Sequence, residues 1–184
     1  MKKLAVFFPG IGYHCDKPLL YYSRKLAAGF GYEIREVPYG GFAAGIKGNA
    51  EKMKEAFCSA LAQAEELLGD VDWNAWERLL FVSKSVGTAV AAAFAGRHGL
   101  RTDNLFFTPV EETFPFVEQE GIAFHGTADP WADTDAVRRA CGEKGIPLFV
   151  TEGADHSLET GKVAEDLKIL REVMGRCAKY IEKL

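Results

Sequence analysis

The sequence predicts an α/β fold: a doubly wound, mostly parallel sheet flanked by helices. Three observations predict it. Short apolar runs recur along the chain, most of them stopped by glycine, proline or a small polar residue. The segments between them place apolar residues at helical spacing. The two kinds of segment alternate along the chain, and a parallel sheet covered on both faces buries them all. With 184 residues the chain suits one domain, residues 1–184, with a full core.

The elements follow in order. Leu4–Phe8 is a buried strand ended by Pro9 and Gly10. Lys17–Phe30 is a helix, with Leu19, Leu20, Tyr22, Leu26 and Phe30 at helical spacing. Tyr32–Val37 is a strand that stops at Pro38, and Gly40–Gly48 is a glycine-rich loop. Asn49 caps a long helix to about Leu68, whose apolar stripe runs from Met53 through Ala56, Phe57, Ala60, Leu61 and Ala64. Leu79–Val82 is a strand, and an alanine-rich helix runs from Thr88 to about Arg97. Asn104–Thr108 is a strand before Pro109, and Ile122–His125 is a strand before Gly126. Asp133–Glu143 is a helix closed by Gly142 and Gly145, Leu148–Val150 is the last strand, and Thr160–Leu184 is a long helix.

Composition narrows the function classes. Net charge is −4, from 26 acidic and 22 basic residues, and there is no Lys/Arg-rich stripe. Nucleic acids and anionic membranes both select a basic face, so neither is an expected partner. No apolar run approaches the roughly 20 residues that span a bilayer. The opening MKKLAVFFPGIGYHCD is apolar only from Leu4 to Phe8, too short for a secretory core, and reads as a first strand of a cytoplasmic protein. The four cysteines, Cys15, Cys58, Cys141 and Cys177, form no CxxC pair and read as reduced thiols. The four histidines, His14, His98, His125 and His156, show no zinc spacing.

In a doubly wound sheet, ligands sit beyond the carboxyl ends of the strands. The segments there are PGIGYH, VPYGGF, SKSVGT, TPVEE, HGTADPW and EGADHS. A nucleophile raised on a tight strand-to-helix turn needs small residues two before and two after it, usually as G-x-S-x-G. Ser83-Lys84-Ser85-Val86-Gly87 satisfies this, with serine in place of the first glycine. The Val86 amide, at the helix start, would then face an oxyanion beside Ser85. A serine hydroxyl needs a base, and the base an orienting carboxylate. HGTADPW supplies Asp129 and EGADHS supplies His156, giving the chain order Ser85, Asp129, His156.

With these three motifs in this order, each behind an expected strand, the sequence resembles the small, lidless bacterial members of the α/β-hydrolase superfamily. The resemblance covers nearly the whole chain. It implies a compact α/β-hydrolase fold without a large lid, and a serine hydrolase of carboxylesterase type acting through an acyl-enzyme. FFPGIGY looks like the family's oxyanion loop, which makes Ile11, or else Gly12, the second oxyanion amide. Pro9 stands where many members have histidine, Ser83 departs from the strict glycine, and the family's two extra N-terminal strands are not expected in the sheet. The implied chemistry needs no metal and no organic cofactor, and the expected partner is a small-molecule acyl substrate.

Each residue has a competing reading. Ser85 is also a residue type that caps helices, and Asp129 one that forms turns before proline. Ser83 is the rival nucleophile, but Phe81 lies two before it. Glu111 and Glu112 are rival acids behind the strand ending at Thr108, while HGxxD is the tighter match for Asp129. His125 reads as a support for the Asp129 loop. Lys84-Ser85 lacks the glycine frame of a phosphate loop, and GIGYHC has Cys15 where a dinucleotide loop needs its third glycine. Gly10, Gly12, Tyr13 and Trp131 are expected to line the pocket, together with Tyr39, Phe42, Phe114 and Phe116. His14 and Lys17 are candidates for meeting an anionic group. A thioesterase, amidase or peptidase on the same triad is the alternative activity. A binding protein that keeps the fold without activity is the alternative class.

Overall fold

The computed structural model describes residues 2–46 and 48–184, so Lys47 in the expected glycine-rich loop lies outside the described residues. Among the described residues six strands form one sheet: β1 (Lys3–Phe8), β2 (Glu33–Glu36), β3 (Arg78–Lys84), β4 (Asp103–Phe107), β5 (Gly121–Gly126) and β6 (Leu148–Thr151). Every pairing is parallel, in the order β2-β1-β3-β4-β5-β6. Among the same described residues five helices cover it: α1 (Pro18–Gly29), α2 (Ala50–Leu67), α3 (Val86–Arg97), α4 (Thr134–Lys144) and α5 (Val163–Glu182).

Side chains alternate across each strand, so neighbouring residues serve opposite faces. Ala5 and Phe7 of β1 and Leu80 and Val82 of β3 pack against Leu19 and Leu20 of α1 and Val173, Cys177 and Ile181 of α5. Leu4, Val6, Phe8 and Phe81 face the other way, onto Ala60, Leu61 and Ala64 of α2 and Val90 and Phe94 of α3. Helix α4 completes that second layer, with Val137 and Cys141 against Phe106 and Ala123. Helix α3 is buried from Val86 to Ala95, and its alanines let its backbone lie close to the sheet.

Caps set several helix ends. The Asn49 side chain accepts from the Lys52 amide at 3.0 Å, and that of Asp133 from the Ala136 amide at 2.9 Å. Gly145 closes α4 in the left-handed region. Helix α5 starts at Val163, later than the pattern suggests, because Thr160 lies outside it and donates its amide and hydroxyl to Asp166. The short 3-10 turns Trp73–Ala75 and Glu111–Phe116 leave no periodic signal and were not expected.

The chain runs from β1 outward to β2, then returns to place β3 on the other side of β1. The carboxyl ends of β1 and β3 therefore border the crevice where such sheets bind ligands. The Pro9–Tyr13 segment and Ser85 lie there. Among the described residues, no helix is long and apolar enough to cross a membrane.

Candidate active site

Strand β3 becomes helix α3 within a single residue. Ser85 stands at that bend with φ 56° and ψ −128°, a conformation costly for a residue with a β-carbon. Its amide donates to the Phe107 carbonyl at 3.0 Å, and the Thr88 hydroxyl donates to its carbonyl at 2.6 Å. Helix α3 begins at once at Val86, two residues before the expected start at Thr88, because one strained residue accomplishes the turn. Gly87 makes this possible: a β-carbon there would lie 2.3 Å from the Phe8 carbonyl oxygen. Ser83 is fully buried, with its hydroxyl directed at the Leu105 carbonyl 3.4 Å away, so it faces the core and not the crevice.

Three polar side chains meet in a line at the crevice. His156 Nε2 lies 2.7 Å from Ser85 Oγ, and His156 Nδ1 lies 2.7 Å from Asp129 Oδ2. An ionised carboxylate only accepts, so Nδ1 carries the proton and Nε2 offers its lone pair to the serine hydroxyl. The other Asp129 oxygen accepts from the Trp131 amide at 2.8 Å, and the carboxylate has no solvent exposure. Gly126 lets the two loops close in, since a β-carbon there would lie 2.2 Å from the Ala154 carbonyl oxygen. Thr108 fixes the histidine loop from β4, donating its hydroxyl to the His156 carbonyl at 3.0 Å.

Burial sets the electrostatics. It pushes the Asp129 carboxyl up, but the hydrogen bond and charge of His156, the Trp131 amide and His125 outweigh it, leaving the group below its ordinary value. Burial lowers His156; Asp129 opposes this, and the charge of Lys84 adds to it, so the imidazole lies below its usual range. Burial also lowers His125. His125 Nε2 meets the Thr134 hydroxyl at 3.0 Å, while Nδ1 lies 3.8 Å from Asp129.

Ile11 and Val86 line the same cleft as Ser85. Val86 is the first residue of α3, so its N–H stands outside the intrahelical ladder. Gly10 packs behind Ser85, where a β-carbon would lie 3.1 Å from Ser85 Cβ. Gly10 and Tyr13 exchange amide bonds of 3.1 Å in both directions, closing a turn with Ile11 and Gly12 at its tip.

The sequence matches no protein-family model and no curated protein. Solved structures resemble it at low identity. A protein of Xanthomonas campestris pv. campestris, assigned by inference to the α/β-hydrolase superfamily, is 12% identical with a TM-score of 0.72, covering 100% of both chains. Est1E from Butyrivibrio proteoclasticus, with ferulic acid bound, is 10% identical with a TM-score of 0.70, covering 98% of this chain and 88% of that one. An α/β serine hydrolase without a lid from Xanthomonas campestris is 12% identical with a TM-score of 0.62, covering 98% and 81%.

The fold is that of the α/β hydrolases.

On this α/β-hydrolase fold, Ser85, Val86 and His156 open into a cleft of about 540 Å³. Ile11, Gly12, Tyr13 and Trp131 line it, and Trp131 is 41% exposed at its mouth. Gly10 does not line it, being covered by Ser85 and Lys84. Tyr39 is buried with its hydroxyl donating to the Pro9 carbonyl, and Phe42 packs on its ring. Phe114 belongs to the core, and Phe116 is stacked on Phe57. None of these four aromatics reaches the cleft, nor do His14 and Lys17. Of the rival acids, Glu111 is exposed and outside the cleft, and Glu112 lines it, while the carboxylate bonded to His156 is that of Asp129. Two larger clefts, of about 930 and 1060 Å³, open beside Gly121 and Arg78 at the amino ends of the strands, away from the serine.

The cleft has a wall that sequence reasoning missed. Ile46, Asn49, Ala50 and Met53 come from the loop before α2 and its first turn. The Asn49 cap signalled a helix start, but nothing in the sequence indicated that this start faces the crevice. Lys84 and Asp155 also line the cleft. Asp155 Oδ1 accepts from the amides of Ser157 and Glu159, which shapes the turn that carries His156.

Proposed function

We propose that the protein is a serine hydrolase that cleaves a small acyl ester through an acyl-enzyme. One observation above all supports this: a serine on a strained turn, 2.7 Å from an imidazole whose other nitrogen is 2.7 Å from a buried carboxylate. Ser85 Oγ attacks the acyl carbonyl while His156 Nε2 takes its proton. Asp129 holds the tautomer and stabilises the imidazolium that forms. The carbonyl oxygen becomes an oxyanion facing the Val86 and Ile11 amides, each such donor being worth about 3–4 kcal/mol. His156 then gives its proton to the leaving group, and the alcohol departs. Water, activated by the same imidazole, attacks the acyl carbon and releases the acid and Ser85.

The names of the structural neighbours, a lidless serine hydrolase and a Pyrococcus furiosus esterase among them, favour the same class. The cleft wall of Ile11, Tyr13, Ile46, Met53 and Trp131 suits an apolar acyl or alkyl group. A panel of short-chain esters, thioesters and amides tests the reading. Turnover of the esters, lost in Ser85→Ala, is expected. Preference for thioesters or amides moves the activity to that class on the same triad. No turnover of any member by the folded protein contradicts the hydrolase reading.

A further inference from the structure

Lys84 directly precedes the nucleophile and is 1% exposed. Lysine is almost never this buried, and a buried lysine puts its stem and its ammonium to separate uses. The stem lies under Gly10: a β-carbon on Gly10 would be 3.5 Å from Lys84 Cγ. The ammonium stands 4.9 Å from the centre of the Tyr13 ring, within cation–π range. Gly10 and Tyr13 are the two ends of the turn that carries Ile11. Tyr13 is also tied to α1, since its Oη accepts from the Leu19 amide at 3.1 Å.

We propose that Lys84 is a positioning residue for the Ser85 site, bracing the Gly10–Tyr13 turn, and with it the Ile11 amide, at a fixed place beside the serine. The inference rests on the serine-hydrolase reading. The charge of Lys84 has a second effect. Asp129 meets His156 at Nδ1, Ser85 at Nε2, Asp155 precedes it in its own loop, His125 lies behind Asp129, and Glu112 shares the cleft. Among these groups Lys84 is a cation that favours neutral imidazole, the form able to accept the serine proton. Removing the ammonium therefore shifts the acid limb of reactivity to higher pH.

The test is the rate of fluorophosphonate labelling at Ser85 between about pH 5 and 8, where an imidazole titrates. Lys84→Met keeps the stem and removes the charge; Tyr13→Leu keeps the charge and removes the π face together with the hydroxyl that accepts from the Leu19 amide. Each is expected to label roughly tenfold more slowly at the plateau, as small displacements of reacting groups do. The double variant is expected to be no slower than the slower single, because both changes release one brace. The acid-limb midpoint rises in Lys84→Met and stays in Tyr13→Leu. Wild-type rates in Tyr13→Leu overturn the proposal even if Lys84→Met does not fold. Independent, multiplying effects or an unmoved midpoint in Lys84→Met overturn it too. A wild type that takes no adduct at Ser85 overturns the hydrolase reading and the brace with it. A wild type that labels while both variants match it overturns the brace alone.

Discussion

A methyl group on Gly87 would lie 2.3 Å from the carbonyl oxygen of Phe8 and 2.4 Å from that of Pro9. The end of β1 and the start of α3 approach closely there, and Ile11, Ser85 and Val86 line one cleft. Gly87→Ala must push these segments apart. The expected loss is about 2–4 kcal/mol of stability, measured by urea unfolding, because neither contact is with a flexible side chain. Wild-type stability in this variant would mean that the approach is looser than described.

The backbone of Ser85 stores strain that the hydroxyl does not need for folding. Ser85→Gly and Ser85→Ala both remove the hydroxyl, but only glycine relaxes at φ 56°. The glycine variant is expected to unfold at higher temperature than the alanine variant, by about 1 kcal/mol in stability. Equal melting temperatures would argue against strain at this residue.

Asp129→Asn keeps the shape of the side chain but offers an amide to His156 Nδ1. The imidazole then loses its reason to carry the proton on that nitrogen. A fall in kcat of about 10³–10⁴, with KM little changed, is expected in steady-state kinetics of ester hydrolysis. A fall of less than about tenfold would point to another carboxylate, with Glu112 the first to examine.

Stability should depend on pH through buried His125 and half-buried His156. Burial holds His125 and His156 below the ordinary histidine value of 6.5. The unfolded chain then binds protons that the folded chain refuses, so stability is full above pH 6.5 and falls as pH drops below it. Asp129 lies below its ordinary 3.8, and its contribution is lost only in stronger acid. Urea midpoints at about pH 7 and pH 5 check this, and His125→Asn is expected to narrow the difference between them. An unchanged difference would assign the effect elsewhere.

Trp131 meets Asp129 through its amide and the cleft through its ring. Trp131→Ala leaves the amide bond available and removes one wall. KM is expected to rise severalfold with a smaller change in kcat, and an equal fall in both kcat and kcat/KM would contradict a binding role. The cleft of about 540 Å³ also predicts that rates stop rising for acyl chains beyond about eight carbons.

Much of this was legible in the sequence. The alternation of Leu4–Phe8, Leu79–Val82, Asn104–Thr108 and Ile122–His125 with helical segments predicted the parallel sheet, because buried strands in such sheets are nearly pure apolar runs. Ser85, Asp129 and His156 could be placed because each follows a strand. The aromatic lining was misread at Tyr39, Phe42, Phe114 and Phe116, because position on a loop does not tell which way a ring points. Ile46 and Met53 were missed because they reach the cleft through the packing of α2 on α3, a long-range contact with no local signature. Lys84 was visible only as part of a failed phosphate motif, and its burial beneath Tyr13 depends on the register of β3.

The central claim is that Ser85 is an activated nucleophile. Labelling wild type and Ser85→Ala with a fluorophosphonate, and mapping the adduct by mass spectrometry, tests it most directly. The account predicts a single adduct on Ser85 and none in the variant. No adduct on the folded wild type, or an adduct on Ser83 or Ser157 that survives in Ser85→Ala, would contradict it.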